Sequence, residues 1–315
     1  MTKNNLKSFF PEQRVLLALV IAVVIAIVSV INPRFIALNN IIIIFQQISV
    51  LGIITMAMGL LMISGGTDIS LGHIMVLCGI TMSKILQHGQ PLPVALLIGL
   101  AVGAFCGFLN GFIIARTNSI PLIITLGTGQ VYYGISLLLS GGTIQGFDGA
   151  LDFLKYKIFE IFPVMLVVLF AVTAITSFLL NRTKFGRRVV AVGGNPHNAF
   201  LCGINVAQYK IITWTIAGFL SAVASIVFCA RIDSITANSS GSYAMNAMAA
   251  AIMGGITFAG GTGTISGAFL GCLMMGVINN AMNILKVPSF VQTIVSGAII
   301  VAALIVSNFK AGKKK

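Results

Sequence analysis

Ten uninterrupted apolar stretches, 15 to 23 residues long, run through this chain and leave little sequence for anything else. They lie at 15–31, 41–63, 71–86, 93–115, 122–139, 161–180, 211–230, 244–258, 264–285 and 290–306. A helix needs about 20 mostly apolar residues to cross a bilayer, within a range near 17–25. The runs are continuous rather than alternating, so they read as helices and not as barrel strands. The expected fold is an all-α polytopic membrane protein with about ten transmembrane helices. Two runs, 71–86 and 244–258, are short, and each adjoins a Gly-Gly-Thr, so broken or re-entrant helices are expected there.

Charge supports the same class. Only 8% of the 315 residues are charged and 57% are apolar, against roughly a quarter charged in soluble domains. A soluble enzyme, a disordered chain and a fibrous protein are excluded together. The five cysteines are scattered and form no Cys-x-x-Cys, which predicts small packing residues rather than disulfides or a metal site. The first run follows basic residues like a signal peptide, but its 17 residues exceed the usual h-region of about 7–15. It reads as a retained first span.

With ten spans both termini share a side, and the basic residues place them in the cytoplasm. Thirteen of the 19 Lys and Arg then fall inside, including Arg182, Lys184, Arg187, Arg188 and the 310–315 tail, while four of six acids fall outside. The net charge of +13 therefore reports orientation, and nucleic acid drops out as a partner. Two polar interruptions remain. One is an external loop at 140–160, with an amphipathic stretch around 153–159. The other is the only long cytoplasmic loop, at 181–210.

Within the cytoplasmic loop, Asn195 is a good N-cap and Pro196 a good first helical residue. His197, Asn198, Ala199, Phe200, Leu201 and Cys202 follow, and Gly203 is a C-terminal stop. The predicted helix has two turns, is too short to persist alone and carries two apolar side chains. Local chemistry leaves two readings equally open: docking into a partner's groove, or packing back on the membrane domain.

The segment from Ala191 to Asn205 resembles the coupling helix of bacterial ABC-importer permeases of the ribose/galactose type, with Gly-Gly-Asn and Gly-Ile-Asn at the family's spacings. Similar too are Ser64-Gly-Gly-Thr-Asp-Ile-Ser-Leu-Gly72 with Gln46 and Gln47 upstream, Met253 to Gly263, and Asn279-Asn280-x-x-Asn283. The Pro196-His197 pair departs from the family's more usual acidic or small residue. The resemblance implies a single transmembrane permease domain over 1–315, usually a homodimer, in the bacterial inner membrane. It also implies a cytoplasmic ATP-binding subunit coupled through Asn195, Pro196, Asn198, Ala199, Phe200, Leu201 and Gly203, and an extracytoplasmic sugar-binding protein. ATP and magnesium would sit on the partner subunit. This chain has no phosphate loop of the Gly-x-x-x-x-Gly-Lys-Ser/Thr type and is expected to need no cofactor of its own.

Polar residues within the spans are the candidate path or gate: Gln46, Gln47, Asp68, Asn110, Asn279, Asn280 and Asn283. Amides suit a neutral, hydroxyl-rich cargo. Interhelical hydrogen bonding is the alternative for each amide. Asp68, expected at the cytoplasmic mouth of the third span, reads either as a cap and loop-fixing residue or as a gate. Glycines every four residues, at Gly99, Gly103, Gly107 and Gly111 and at Gly263, Gly267 and Gly271, form flat packing stripes. Gly65-Gly66-Thr67 with Gly72 aligns without gaps on Gly260-Gly261-Thr262 with Gly267. The expected topology gives the two copies one orientation, and no role is assigned to them.

The leading function is the permease of an ATP-driven monosaccharide importer working by alternating access. Alternatives are an ABC permease for another small solute, such as a nucleoside, branched-chain amino acid or signalling sugar, and a stand-alone secondary transporter. The last would need buried ion-binding acids, which are scarce, and an intramembrane enzyme would need convergent catalytic groups that the isolated His73, His88 and His197 do not supply.

Overall fold

The computed structural model describes residues 4–117, 119–158 and 162–312. Each of the ten apolar runs contains a helix. These are α1 (Asn4–Ile31), α2 (Leu38–Ile63), α3 (Leu71–Gln87), α4 (Leu92–Thr117), α5 (Pro121–Ser140) and α6 (Val164–Arg182). Beyond the 181–210 loop, which contributes α7 (Lys184–Gly194) and α8 (Pro196–Leu201), come α9 (Val206–Ile232), α10 (Tyr243–Met253), α11 (Ile265–Ile284) and α12 (Ser289–Gly312). Six of them, α2, α4, α5, α6, α9 and α11, are long and apolar enough to cross a membrane, among the described residues. The molecule is thus an all-α polytopic membrane protein. Lys3, residues 159–161 and the tail lysines at 313–315, used above in the loop and charge assignments, lie outside the described residues.

The core is built around α2. Every residue from Ile48 to Ile63 is buried, as expected of a helix that is apolar all round. α6, α9, α10 and α11 surround it. The predicted glycine stripes are internal seams. A Cβ on Gly103 would lie 2.6 Å from the Gly218 carbonyl of α9, and one on Gly111 would lie 2.7 Å from Trp214 Cβ. The later stripe faces α10: a Cβ on Gly271 would run into the Ala250 carbonyl, and one on Gly267 into that of Gly254. Helix backbones approach this closely only where side chains are absent, and dispersion then drives association in a lipid-like medium.

Both predicted breaks are present, and both are made in the same way. Gly65 takes φ +85° after α2, and the Gly66 amide returns 3.0 Å to the Leu61 carbonyl. After α10, Gly255 takes φ +89°, and the Ile256 amide returns 3.0 Å to the Ala251 carbonyl. Glycine in the left-handed region closes the last turn without a Cβ penalty. α10, at 11 residues, is about 16 Å long and falls short of the hydrocarbon thickness by roughly half.

Three details differ from the expectations. The 181–210 loop is mostly helical, since α7 was not predicted: its buried Gly186, Val189, Val192 and Gly193 alternate with exposed charges and give no continuous apolar run. The stretch near 153–159 is a 3₁₀ turn at Asp152–Lys155 followed by a two-residue strand, Lys157–Ile158, paired with Phe162–Pro163. The 140–160 loop also pairs Gln145–Gly146 with Ser234–Ile235 after α9, tying two connections together.

Candidate functional site

The fold places two candidate regions along α2, one at its C-terminal end and one beside its N-terminal half. At its C-terminal end lies the α7–α8 arm. Thr183 caps α7 by accepting from the Gly186 amide at 3.1 Å, and Asn195 caps α8 by accepting from the Asn198 amide at 3.0 Å. α8 spans only Pro196–Leu201, and Gly203 turns the chain away at φ +78°. Ala199 faces inward and is buried, whereas Phe200 and Leu201 are 67% and 69% exposed. The packing-back alternative is thus met by Ala199, and the two larger apolar side chains are left facing outward.

The root of this arm meets the two helix breaks in a junction made only of backbone. A Cβ on Gly65 would lie 3.3 Å from Gly193 Cα. One on Gly260 would lie 2.8 Å from Gly65 Cα and 2.6 Å from the Gly193 carbonyl. The Gly261 amide donates to the Ile63 carbonyl at 2.9 Å. The two Gly-Gly-Thr copies that align in the sequence therefore touch in space, with the end of α7 wedged between them. Any movement of α7 must be felt by both breaks, because interpenetrating backbones have no soft side chain to absorb it.

Just above this junction sits a closed polar network. Asp68 is 1% exposed. Its Oδ1 accepts from the Ser70 amide at 2.8 Å and from the Ser70 hydroxyl at 2.5 Å, and its Oδ2 accepts from Asn110 Nδ2 at 3.2 Å. Tyr132 donates to Asn110 Oδ1 at 2.9 Å, and the Ile69 amide donates to Thr125 at 3.3 Å. Asp68 was expected at the cytoplasmic mouth and lies deeper. Asn110 is seven residues from the end of α4, and Trp214, over Gly66, is eight from the start of α9, so the loop is buried by about 10–12 Å. A carboxylate at that depth persists only when its oxygens are supplied with donors, as they are here.

Beside the N-terminal half of α2, at Gln47 and Leu51, is a cavity of about 530 Å³, between α2, the end of α9, the start of α10, α11 and α12. Gln47, Asn279 and Asn283 line it. Asn280, one residue round α11, does not: it exchanges amide hydrogen bonds with Asn40, both at 2.9 Å, and clamps α11 to α2. Gln46 is partly buried, lies off the cavity and has a different helical phase from Gln47. The seven candidate path residues thus divide into a cavity set, a clamp, the Asp68–Asn110 network and Gln46 alone.

The cavity also holds residues the sequence reading did not select: Arg231, Ser242, Asn246 and Gln292. Gln292 donates to Asn283 Oδ1 at 3.0 Å and to the Val287 carbonyl at 2.9 Å. Gln47 Oε1 and Asn246 Oδ1 are closed to solvent and have no hydrogen-bond partner among the described residues. The signal that could have found Asn246 is its place in the first turn of a helix too short to span. Broken helices commonly open their polar ends onto a transport site.

Comparison with known proteins adds an independent line. Residues 40–304 match the family described as branched-chain amino acid transport system / permease component. The ribose import permease protein RbsC of Bacillus subtilis is 33% identical over 291 residues, 91% of this chain and 90% of that protein. RbsC of Escherichia coli K12 is 34% identical over 311 residues, 96% of each chain. The D-allose transport system permease protein AlsC of Escherichia coli K12 is 34% identical over 290 residues, 90% of this chain and 88% of that protein. No solved structure matches.

Proposed function

The chain belongs to the branched-chain amino acid transport system / permease component family, and from that premise we propose that it forms the translocation path of an ATP-driven monosaccharide importer. It is a multi-pass protein of the bacterial inner membrane and a transport subunit rather than an enzyme. In this reading all ten apolar helices belong to one permease domain, with both termini and the α7–α8 arm in the cytoplasm. A second copy completes the path. ATP and its magnesium ion are held by a cytoplasmic partner, and a sugar-binding protein delivers cargo to the opposite face.

The observation that carries the proposal is the arrangement along α2. An exposed apolar pair on α8 is joined by an all-glycine junction to one end of the helix. A polar cavity of about 530 Å³ lies further along the helix, at Gln47. Gln47 and Ile63 are sixteen residues apart, about 24 Å along the axis. Docking of the ATP-binding subunit on Phe200 and Leu201 would move α7. Its terminal glycines would displace the breaks after α2 and α10, and both helices reach the cavity. That is rigid-element coupling between inward- and outward-open states. Gln47, Asn279 and Asn283 serve the path, while Asp68, Asn110 and Asn280 hold the frame it works against.

Uptake measured in proteoliposomes tests the proposal. The chain, its ATP-binding subunit and the binding protein are expected to accumulate labelled sugar only with ATP inside the compartment that holds the ATPase. Accumulation by this chain alone, indifferent to ATP, would overturn it.

A further inference from the structure

The cavity beside the N-terminal half of α2 carries a charge with no ion-pair partner among the described residues. Arg231, in the last turn of α9, is the only charged side chain among its lining residues. Asp233, two residues on, is committed elsewhere, with both carboxylate oxygens accepting from the Gly149 amide at 3.0 and 3.3 Å. Asp68 is sealed in its own network. The single ion pair among the described residues is Lys155–Asp152, on the 140–160 loop. α10 begins at the same cavity, and the positive end of its peptide dipoles adds to the guanidinium. The other polar atoms ask for something different. Ser242, Asn279, Asn283 and Gln292 line the cavity with amides and a hydroxyl, and hydroxyl groups of a cargo are what such a lining pairs with.

We propose that this cavity takes a hydroxylated anion, a sugar bearing a carboxylate or a phosphate, in preference to a neutral sugar. Its hydroxyls pair with the lining amides of Asn279 and Asn283, and its anionic group pairs with Arg231. The inference rests on reading the cavity as the mouth of the translocation path and narrows the cargo within that reading. Guanidinium is suited to both anions because its fork of donors matches either bidentately.

The test places one thiol in the cavity of the assembled importer. Cys202 is the exposed native cysteine, so Cys202→Ser provides the background and Ser296→Cys, on α12 beside the cavity, the probe. Labelling rates are compared for a negatively and a positively charged methanethiosulfonate, each relative to its rate with a free thiol. The anionic reagent is expected to be favoured by about tenfold, the low end of electrostatic focusing in a charged cleft. Arg231→Gln should abolish the preference and Arg231→Lys should keep it, so a folding defect in one variant does not remove the test.

Protection against labelling then identifies the class. Gluconate and ribose 5-phosphate should protect at about tenfold lower concentration than sorbitol and ribose, the scale of one retained charge pair. The ratio between gluconate and ribose 5-phosphate separates carboxylate from phosphate cargo. Equal or better protection by ribose overturns the proposal, as does protection by inorganic phosphate alone matching that by ribose 5-phosphate. If labelled Ser296→Cys still transports at full rate, the cavity is not the path and the parent reading of this site fails. If labelling blocks uptake but shows no anion preference, only the present proposal fails.

Discussion

The C-terminal end of α2 and the cavity beside its N-terminal half are made from opposite materials. The arm end is backbone against backbone: Gly65, Gly193, Gly260 and Gly261 pack with no room for a Cβ between them. The cavity end is amides, hydroxyls and one guanidinium around open volume, with acceptors left unpaired. Stiffness transmits displacement, and unpaired polarity binds cargo. Glycines make the first region, and Gln47, Asn279, Asn283 and Arg231 line the second. Their separation along one buried helix lets each act on the other without sharing a side chain.

The contrast is most directly broken at Gly193. A Gly193→Val change drives methyl groups into the Ile63 carbonyl and the Gly261 amide. Rigid overpacking costs about 1–3 kcal/mol where neighbours can shift and more where they are backbone. ATP-driven uptake is expected to fall by about a hundredfold, which corresponds to some 2.7 kcal/mol, while ATP hydrolysis persists uncoupled. Unchanged uptake would mean that the junction is not part of the transmission. The arm's outer face is tested by Phe200→Asp with Leu201→Asp. Co-purification of the ATP-binding subunit should drop at least about tenfold, because losing two apolar anchors worth roughly 1.5–3 kcal/mol each leaves little interface. Spans should insert normally, and full co-purification would rule out docking there.

Asp68 separates the stiff end from a merely crowded one. Asp68→Ala leaves the Asn110 amide and the Ser70 hydroxyl short of an acceptor, and a loss of about 2–3 kcal/mol in thermal unfolding is expected, in the range of hydrogen bonds to charged groups. Asp68→Asn should cost less, since its remaining carbonyl oxygen still accepts. If the two variants melt alike, the network is not holding the break. At the cavity end the effects are smaller. Asn279→Ala should raise the half-saturating cargo concentration about fivefold, one hydrogen bond's worth of roughly 1 kcal/mol, with ATP hydrolysis unchanged. Asn280→Ala should leave that concentration alone and instead lower stability by about 1–2 kcal/mol through loss of the reciprocal pair with Asn40. Identical phenotypes at 279 and 280 would erase the distinction between path and clamp.

How far these parts were legible in the sequence follows from what kind of signal each emits. Continuous apolar runs and glycines every four residues are one-dimensional signals, so a helix in each apolar run and the two packing stripes could be read, whereas the helices facing those stripes, α9 and α10, could not. The Asn195 cap, Pro196 and the Gly203 stop are local chemistry, and α8 forms where they place it. α7 was missed because its inward face is two glycines and two valines set between arginines. Depth was missed as well. Spacing along the chain does not say that α3 starts two turns below the ends of its neighbours, so Asp68 was expected too near the surface. Division of the amides needed helical phase against several partners at once. Asn279 and Asn280 are adjacent in sequence, yet one faces a cavity and the other faces Asn40.

The glycine junction also has a genetic consequence. Every base change at the first or second position of a glycine codon brings in a side chain or a stop. At Gly193, Gly260 and Gly261 any side chain collides with a neighbouring backbone, so no conservative missense allele exists there. Spontaneous transport-negative mutants should therefore collect in two short, distant stretches of the gene that meet only after folding. Second-site suppressors should be correspondingly rare, because backbone atoms offer nothing to trim.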